Sequence, residues 1–111
     1  MERDSSPATV SVSDIRSLGE ASARIRRHLE EGAPWVACDV FRDALARDAD
    51  DGSLLYLGAL AHARAGAGRE AHALLDRAQP LATDDAALLG EILSLRGRLW
   101  KDRLHRTQDA A

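Results

Sequence analysis

The sequence holds one cysteine (Cys38), one lysine (Lys101), one phenylalanine, one tyrosine and no long apolar run. A single cysteine excludes an internal disulfide and a zinc site built from several thiolates of this chain. No segment approaches the ~18 consecutive apolar residues that span a bilayer, so neither a membrane anchor nor a hydrophobic signal segment is expected. A reducing, cytoplasmic setting fits both absences. Aromatic residues make up 4% of the chain while hydrophobic residues reach 45%. Alanine and leucine must therefore build the core, and small side chains favour helices packed on helices over a sheet that needs β-branched and aromatic residues. The chain of 111 residues suffices for one small domain. Its net charge of −3 argues against a generic nucleic-acid binder, for which a clearly basic domain is expected.

What is present repeats. Gly32, Ala37, Phe41 and Ala44 are followed by Gly66, Ala71, Leu75 and Ala78, and 66−32, 71−37, 75−41 and 78−44 all equal 34. A fixed period of that length marks stacked helical hairpins.

In chain order, residues 1–12 are polar and read as a flexible leader, the helical domain as residues 13–106, and residues 107–111 as a frayed tail. Ser13 is a candidate cap for a first helix carrying Ile15, Leu18, Ser22, Ile25 and Leu29 at alternating three and four spacing. Gly32 is suited to a left-handed stop and Pro34 to the first turn of the next helix. That second helix, to about Asp48, offers Val36, Ala37, Val40, Phe41, Ala44 and Leu45 to the core. A third, starting near Ser53 after an Asp-rich turn, is apolar nearly all round and must be covered on two sides. Gly66 and Gly68 break the chain before a fourth helix with Ala71, Leu74, Leu75 and Ala78, which Pro80 ends. Thr83 is the expected cap of a fifth helix, the longest, reaching Leu104 or Arg106.

These residues resemble the tetratricopeptide repeat, in which each unit pairs a helix A with a helix B. Gly32, Ala37, Phe41, Ala44 and Leu45 match the helix B pattern, and Gly66, Ala71, Leu75 and Ala78 match it again. Ala49 stands where the family often has proline, and His62 where helix A usually has tyrosine. The resemblance implies an all-α, right-handed solenoid of about five antiparallel helices, two full repeats and a final helix A. A shorter likeness, Gly97-Arg-Leu-Trp-Lys-Asp102, is similar to a signature in the TRAF-binding region of the apoptosis signal-regulating kinases and of bacterial tetratricopeptide proteins that carry it. It implies a regulatory scaffold near signalling or defence enzymes.

In tetratricopeptide stacks the A helices line the concave groove. In the 34-residue register this implies inward positions at Ser22 and Arg26 on the first A helix, Tyr56, Leu60 and Arg64 on the second, and Ser94, Arg98 and Lys101 on the third. Arg64 and Arg98 stand one period apart, and guanidinium forks suit a carboxylate because they donate two parallel hydrogen bonds to it. An acidic peptide segment or chain terminus is the partner expected; the competing reading is a solvated face paired with Asp and Glu. The basic end of the fifth helix, Arg96 to Arg106, raises nucleic acid as a third reading, weighed against simple complementarity to the helix dipole.

Trp100, sharing a face with Ile92, Leu93 and Leu104, is expected in the core; if exposed, it marks where a further helix docks. Trp35 fits either a cover over the first helix or a partner anchor. His62 and His72 lie on adjacent helices without an acid at ligand spacing, and Cys38 lies on an apolar face without a Cys-His-Asn set. No cofactor, metal or catalytic constellation is expected, and the function expected is protein-protein interaction. The alternative is a capping or oligomerisation segment of a larger regulator, acting through the last helix.

Overall fold

The computed structural model describes residues 12–47 and 50–110, with side chains from 16–47 and 50–105. Among the described residues the chain is all helical: α1 (Val12–Glu30), α2 (Pro34–Arg47), α3 (Gly52–Arg64), α4 (Gly68–Ala78), a 3-10 turn (Gln79–Ala82) and α5 (Ala86–Ala110). Each helix packs against the next, from α1 to α4, and α5 lies against α3, α4 and the 3-10 turn. Helices two apart also meet where both are odd-numbered, α1 with α3 and α3 with α5.

The connections repeat atom for atom. At the end of α1 the backbone N–H groups of Glu31, Gly32 and Ala33 donate to the carbonyls of Arg27, Leu29 and His28 at 2.9, 3.1 and 2.8 Å. At the end of α3 Ala65, Gly66 and Ala67 donate to Ala61, Ala63 and His62 at 2.9, 3.1 and 2.8 Å, each atom 34 residues on (65−31, 66−32, 67−33). Gly32 and Gly66 take φ of 77° and 85°, the left-handed conformation that a Cβ disfavours and that closes a helix with this pair of backward bonds. The next connection repeats as well. Asp51 Oδ1 accepts from the Leu54 N–H at 2.7 Å, and Asp85 Oδ1 from the Leu88 N–H at 3.0 Å, with 85−51 and 88−54 both 34. Each carboxylate satisfies a donor that the first turn of a helix otherwise leaves open.

Asp85 thus corrects the expectation for Thr83, whose hydroxyl instead donates to the Pro80 carbonyl at 3.4 Å within the bend after the 3-10 turn. Other boundaries shift by a few residues. The first helix begins at Val12, so Ser13 lies within it; the rest of the leader, Met1 to Ser11, falls outside the described residues. The fifth helix continues past Arg106 to Ala110. Pro80 sits inside the 3-10 turn that prolongs α4.

The core runs between the hairpins, with Ile25, Phe41, Leu54, Leu55, Leu57, Leu75 and Ile92 its largest fully buried side chains. Alanines at Ala37, Ala44, Ala59, Ala61, Ala71 and Ala78 let the helices approach closely. The Phe41 ring packs against Gly58 so closely that a Cβ there would collide with its Cε1, Cζ and Cδ1. The ring also meets His62 nearly perpendicular, centroids 5.9 Å apart at 83°, while His62 Nδ1 is 2.7 Å from the Gly58 carbonyl oxygen. One aromatic ring therefore joins α2 to α3. Val36 departs from its expected place: it sits one residue off the Ala37–Phe41–Ala44 stripe and is exposed, and Leu45 is half-buried.

The third unit breaks the pattern at one residue. Trp100 stands where the left-handed glycine is due (100−66 is 34), and α5 passes through that position as helix. No further hairpin folds back on it among the described residues, so Trp100 is 53% exposed rather than buried in the core. Leu93 and Leu104 share its exposure, whereas Ile92 turns inward and is buried.

Candidate functional site

Tyr56 is the centre of the surface shared by α3 and α5. Its side chain is buried, 8% exposed, and its phenol lies within electrostatic range of Arg98 and Glu91 of α5 and of Arg64 on its own helix. Burial pushes the phenol's pKa up from its ordinary value, the Glu91 carboxylate raises it further, and Arg98 and Arg64 oppose them. At neutral pH the phenol keeps its proton.

The positions follow from helix geometry. Tyr56, Leu60 and Arg64 recur every four residues along α3, and Glu91, Ser94, Arg98 and Lys101 at three and four spacing along α5, so each set forms one stripe. Tyr56, Arg64 and Arg98 are brought into one electrostatic cluster, with Tyr56 as its buried floor and both arginines exposed. Leu60 is half-buried between them and the core; Ser94 and Lys101 are exposed on the Arg98 stripe. Arg26 is exposed and Ser22 half-buried on α1, and none of the interactions around Tyr56 involves either. Glu91 belongs to the cluster without having been singled out. Its spacing of three and seven residues from Ser94 and Arg98 was the signal.

Such a group can attract an anion by charge: two guanidinium groups lie within electrostatic range of a neutral phenol, with one carboxylate also in range. A planar carboxylate matches it best, since guanidinium forks give it paired hydrogen bonds.

Other reactive groups are occupied structurally. Cys38 is buried in α2, and burial raises its thiol above the ordinary range, with Arg42 lowering it and Asp39 raising it, so the reactive thiolate is disfavoured. The four histidines do not converge: His62 rests on Phe41 and His72 on Trp100 at 6.0 Å, and the described residues contain no group of three or more His, Cys, Asp or Glu able to hold a metal. Arg96 clamps α5 to the preceding hairpin, donating to Asp76 at 2.6 Å and to Gln79 Oε1 at 3.0 Å. No described helix is long and apolar enough to cross a membrane.

No family model, curated protein or solved structure matches this chain.

Proposed function

We propose that the chain is a non-catalytic protein-protein interaction module of the tetratricopeptide type, two right-handed stacked hairpins and a final A helix. The α3–α5 face then forms part of a concave groove that binds an acidic peptide segment or chain terminus. The repeat reading is supported by the duplication of both connections, the Gly32 and Gly66 turns and the Asp51 and Asp85 caps, at 34 residues. The ligand reading is supported by the two exposed arginines, Arg64 and Arg98, whose charges both act on the buried Tyr56 phenol. The Glu91 carboxylate, also within range of the phenol, offsets part of that positive charge, which favours ligands carrying several acids over a lone one. The Gly97–Asp102 likeness to the TRAF-binding signature favours a scaffold in a signalling or defence system of the cytoplasm.

Affinity capture from lysate of the source cell tests the groove, comparing wild type with the Arg64→Glu, Arg98→Glu double variant. Both arginines are exposed, so helical circular dichroism is expected to stay unchanged while a partner captured by wild type is lost. Equal capture by both baits sinks the groove assignment.

A second reading, a capping segment of a larger regulator, is favoured by the exposed apolar side chains of α5.

A further inference from the structure

The outer face of α5 carries Gly90, Leu93, Gly97, Trp100 and Leu104, spaced three, four, three and four residues apart. That spacing forms one stripe along the helix, the seam by which two helices pair. It lies opposite the stripe that α5 buries, Leu88, Ile92, Leu95 and Leu99. Leu93, Trp100 and Leu104 are exposed by 50%, 53% and 58%. A Cβ added at Gly90 or Gly97 would meet nothing within 4 Å outside the helix's own backbone. Large side chains and bare backbone therefore alternate along the seam. The 34-residue register marks it as a face that is covered elsewhere: Ile25 and Ala59 are the counterparts of Leu93 (59−25 and 93−59 are 34), and both are 0% exposed.

The seam is complementary to itself. When two α5 helices lie antiparallel about a two-fold axis at Leu95, Leu93 faces Gly97 of the second copy, Trp100 faces its Gly90 and Leu104 its exposed Ala86 (93+97, 100+90 and 104+86 are all 190). Each large side chain then meets a position with little or no side chain, as a knob enters a hole. A parallel pair would set Trp100 on Trp100 and Gly97 on Gly97. Charge selects the same arrangement. From Leu81 to Leu95 the chain has Asp84, Asp85 and Glu91 and no base, whereas the end of α5 is basic. Antiparallel pairing sets the acidic start of each helix against the basic end of the other and opposes the two helix dipoles. The exposed Lys101 comes beside Ala87 of the second copy, one turn from its exposed Asp84. The like pair at the axis is Arg96 with its own copy, and each Arg96 is already bound to Asp76 at 2.6 Å. Stacking α5 of one copy on α1 of the next has no such support, because among the described residues α1 exposes no large hydrophobic side chain. The contact is therefore isologous and closes at two copies.

We propose that the chain forms an antiparallel dimer through α5, with Leu93 and Trp100 of each copy seated on Gly97 and Gly90 of the other. From Ala86 to Leu104 the seam is about 27 Å long at about 1.5 Å per residue. One helix face of that length falls short of the about 800 Å² per partner of a standard interface, so the dimer forms at micromolar concentrations. The seam is separate from the groove: Glu91 and Arg98 lie on another stripe of α5, and the dimer carries two copies of the Arg64–Arg98 face.

Sedimentation equilibrium of the full chain from about 5 to about 500 μM tests it, and a monomer–dimer equilibrium with a micromolar Kd is expected. Leu93→Asp, at an exposed position, is expected to weaken the dimer by about tenfold or more with helical circular dichroism unchanged. Gly97→Leu separates a fitted seam from a merely apolar one. It adds apolar surface and helix propensity but fills the seat of Leu93, and is expected to weaken the dimer by about tenfold. Lys101→Glu is expected to weaken it several-fold, and Asp84→Lys in the same chain to restore it. The Arg64→Glu, Arg98→Glu variant is expected to dimerise as the wild type does, so failure of the groove leaves this result intact. A monomer throughout that range overturns the proposal, whether a partner's helix or a lipid surface is then found on Trp100. So does an open-ended series of larger species, a dimer indifferent to Leu93→Asp, or one that Gly97→Leu tightens. A dimer that Lys101→Glu leaves unchanged, or that Asp84→Lys fails to restore, overturns it as well.

Discussion

Tyr56 joins the core to a charged surface at one position. It fills space in the core while its phenol feels the charges of Arg98, Arg64 and Glu91. Its raised pKa makes this arrangement measurable, because it is the only tyrosine in the chain and its phenolate absorbance is unambiguous. The native protein is expected to titrate above the ordinary tyrosine value of about 10. In the unfolded chain the phenol ionises first, so the folded state holds more protons in that window. Stability is therefore unaffected below the unfolded value and falls as pH rises through it towards the folded one. Tyr56→Phe should remove that alkaline component of the stability profile. A native phenol titrating at or below the ordinary value contradicts the burial and the effect of the Glu91 charge.

At the scale of elements, the junction of α2 with α3 rests on the contact of an aromatic ring with a bare backbone. Gly58→Ala gains about 1 kcal/mol of helix propensity. It also forces a methyl against a rigid Phe41 ring, and overpacking of that kind costs about 1–3 kcal/mol, more when neighbours cannot yield. A net loss of stability of about 1 kcal/mol or more is expected in urea denaturation, partly relieved when Phe41→Leu accompanies it. A more stable Gly58→Ala protein refutes the packing described for this junction. The elements themselves were largely legible in the sequence, for a physical reason. Gly32 and Gly66 were readable because a left-handed turn all but demands glycine. The cap of α5 was not readable from residue type, since Thr83 and Asp85 are both good capping residues two positions apart; the period carried from Asp51 separates them. Phe41 was readable as a core residue, but its seat on Gly58 depends on how two helices cross, which periodicity within one helix does not encode.

At the scale of the whole molecule, two faces of α5 differ in character. The α3 side carries the Tyr56–Arg64–Arg98 cluster, and the outer side carries Leu93, Trp100 and Leu104. An amphipathic pattern told which α5 residues are apolar and left open whether a neighbour covers them. Trp100 is the clearest case, apolar by type, in register with a turn glycine, and exposed because the chain runs on as helix. The spacing of 34 relates Arg64 to Arg98, and spacings of three and seven place Glu91 on the stripe of Ser94 and Arg98, but which of these charges act on Tyr56 across the helices depends on side chains that a one-helix pattern does not relate. The central claim is that the α3–α5 face recognises carboxylates through these arginines. The most direct test follows arginine Nε–H signals of the labelled protein by nuclear magnetic resonance. The titrants are short peptides rich in Asp and Glu with a free terminal carboxylate, compared with their amidated, Asn- and Gln-substituted counterparts. Saturable shifts at Arg64 and Arg98, absent with the neutral peptides, are the result predicted. Unmoved Arg64 and Arg98 signals, or shifts confined to other arginines, contradict it.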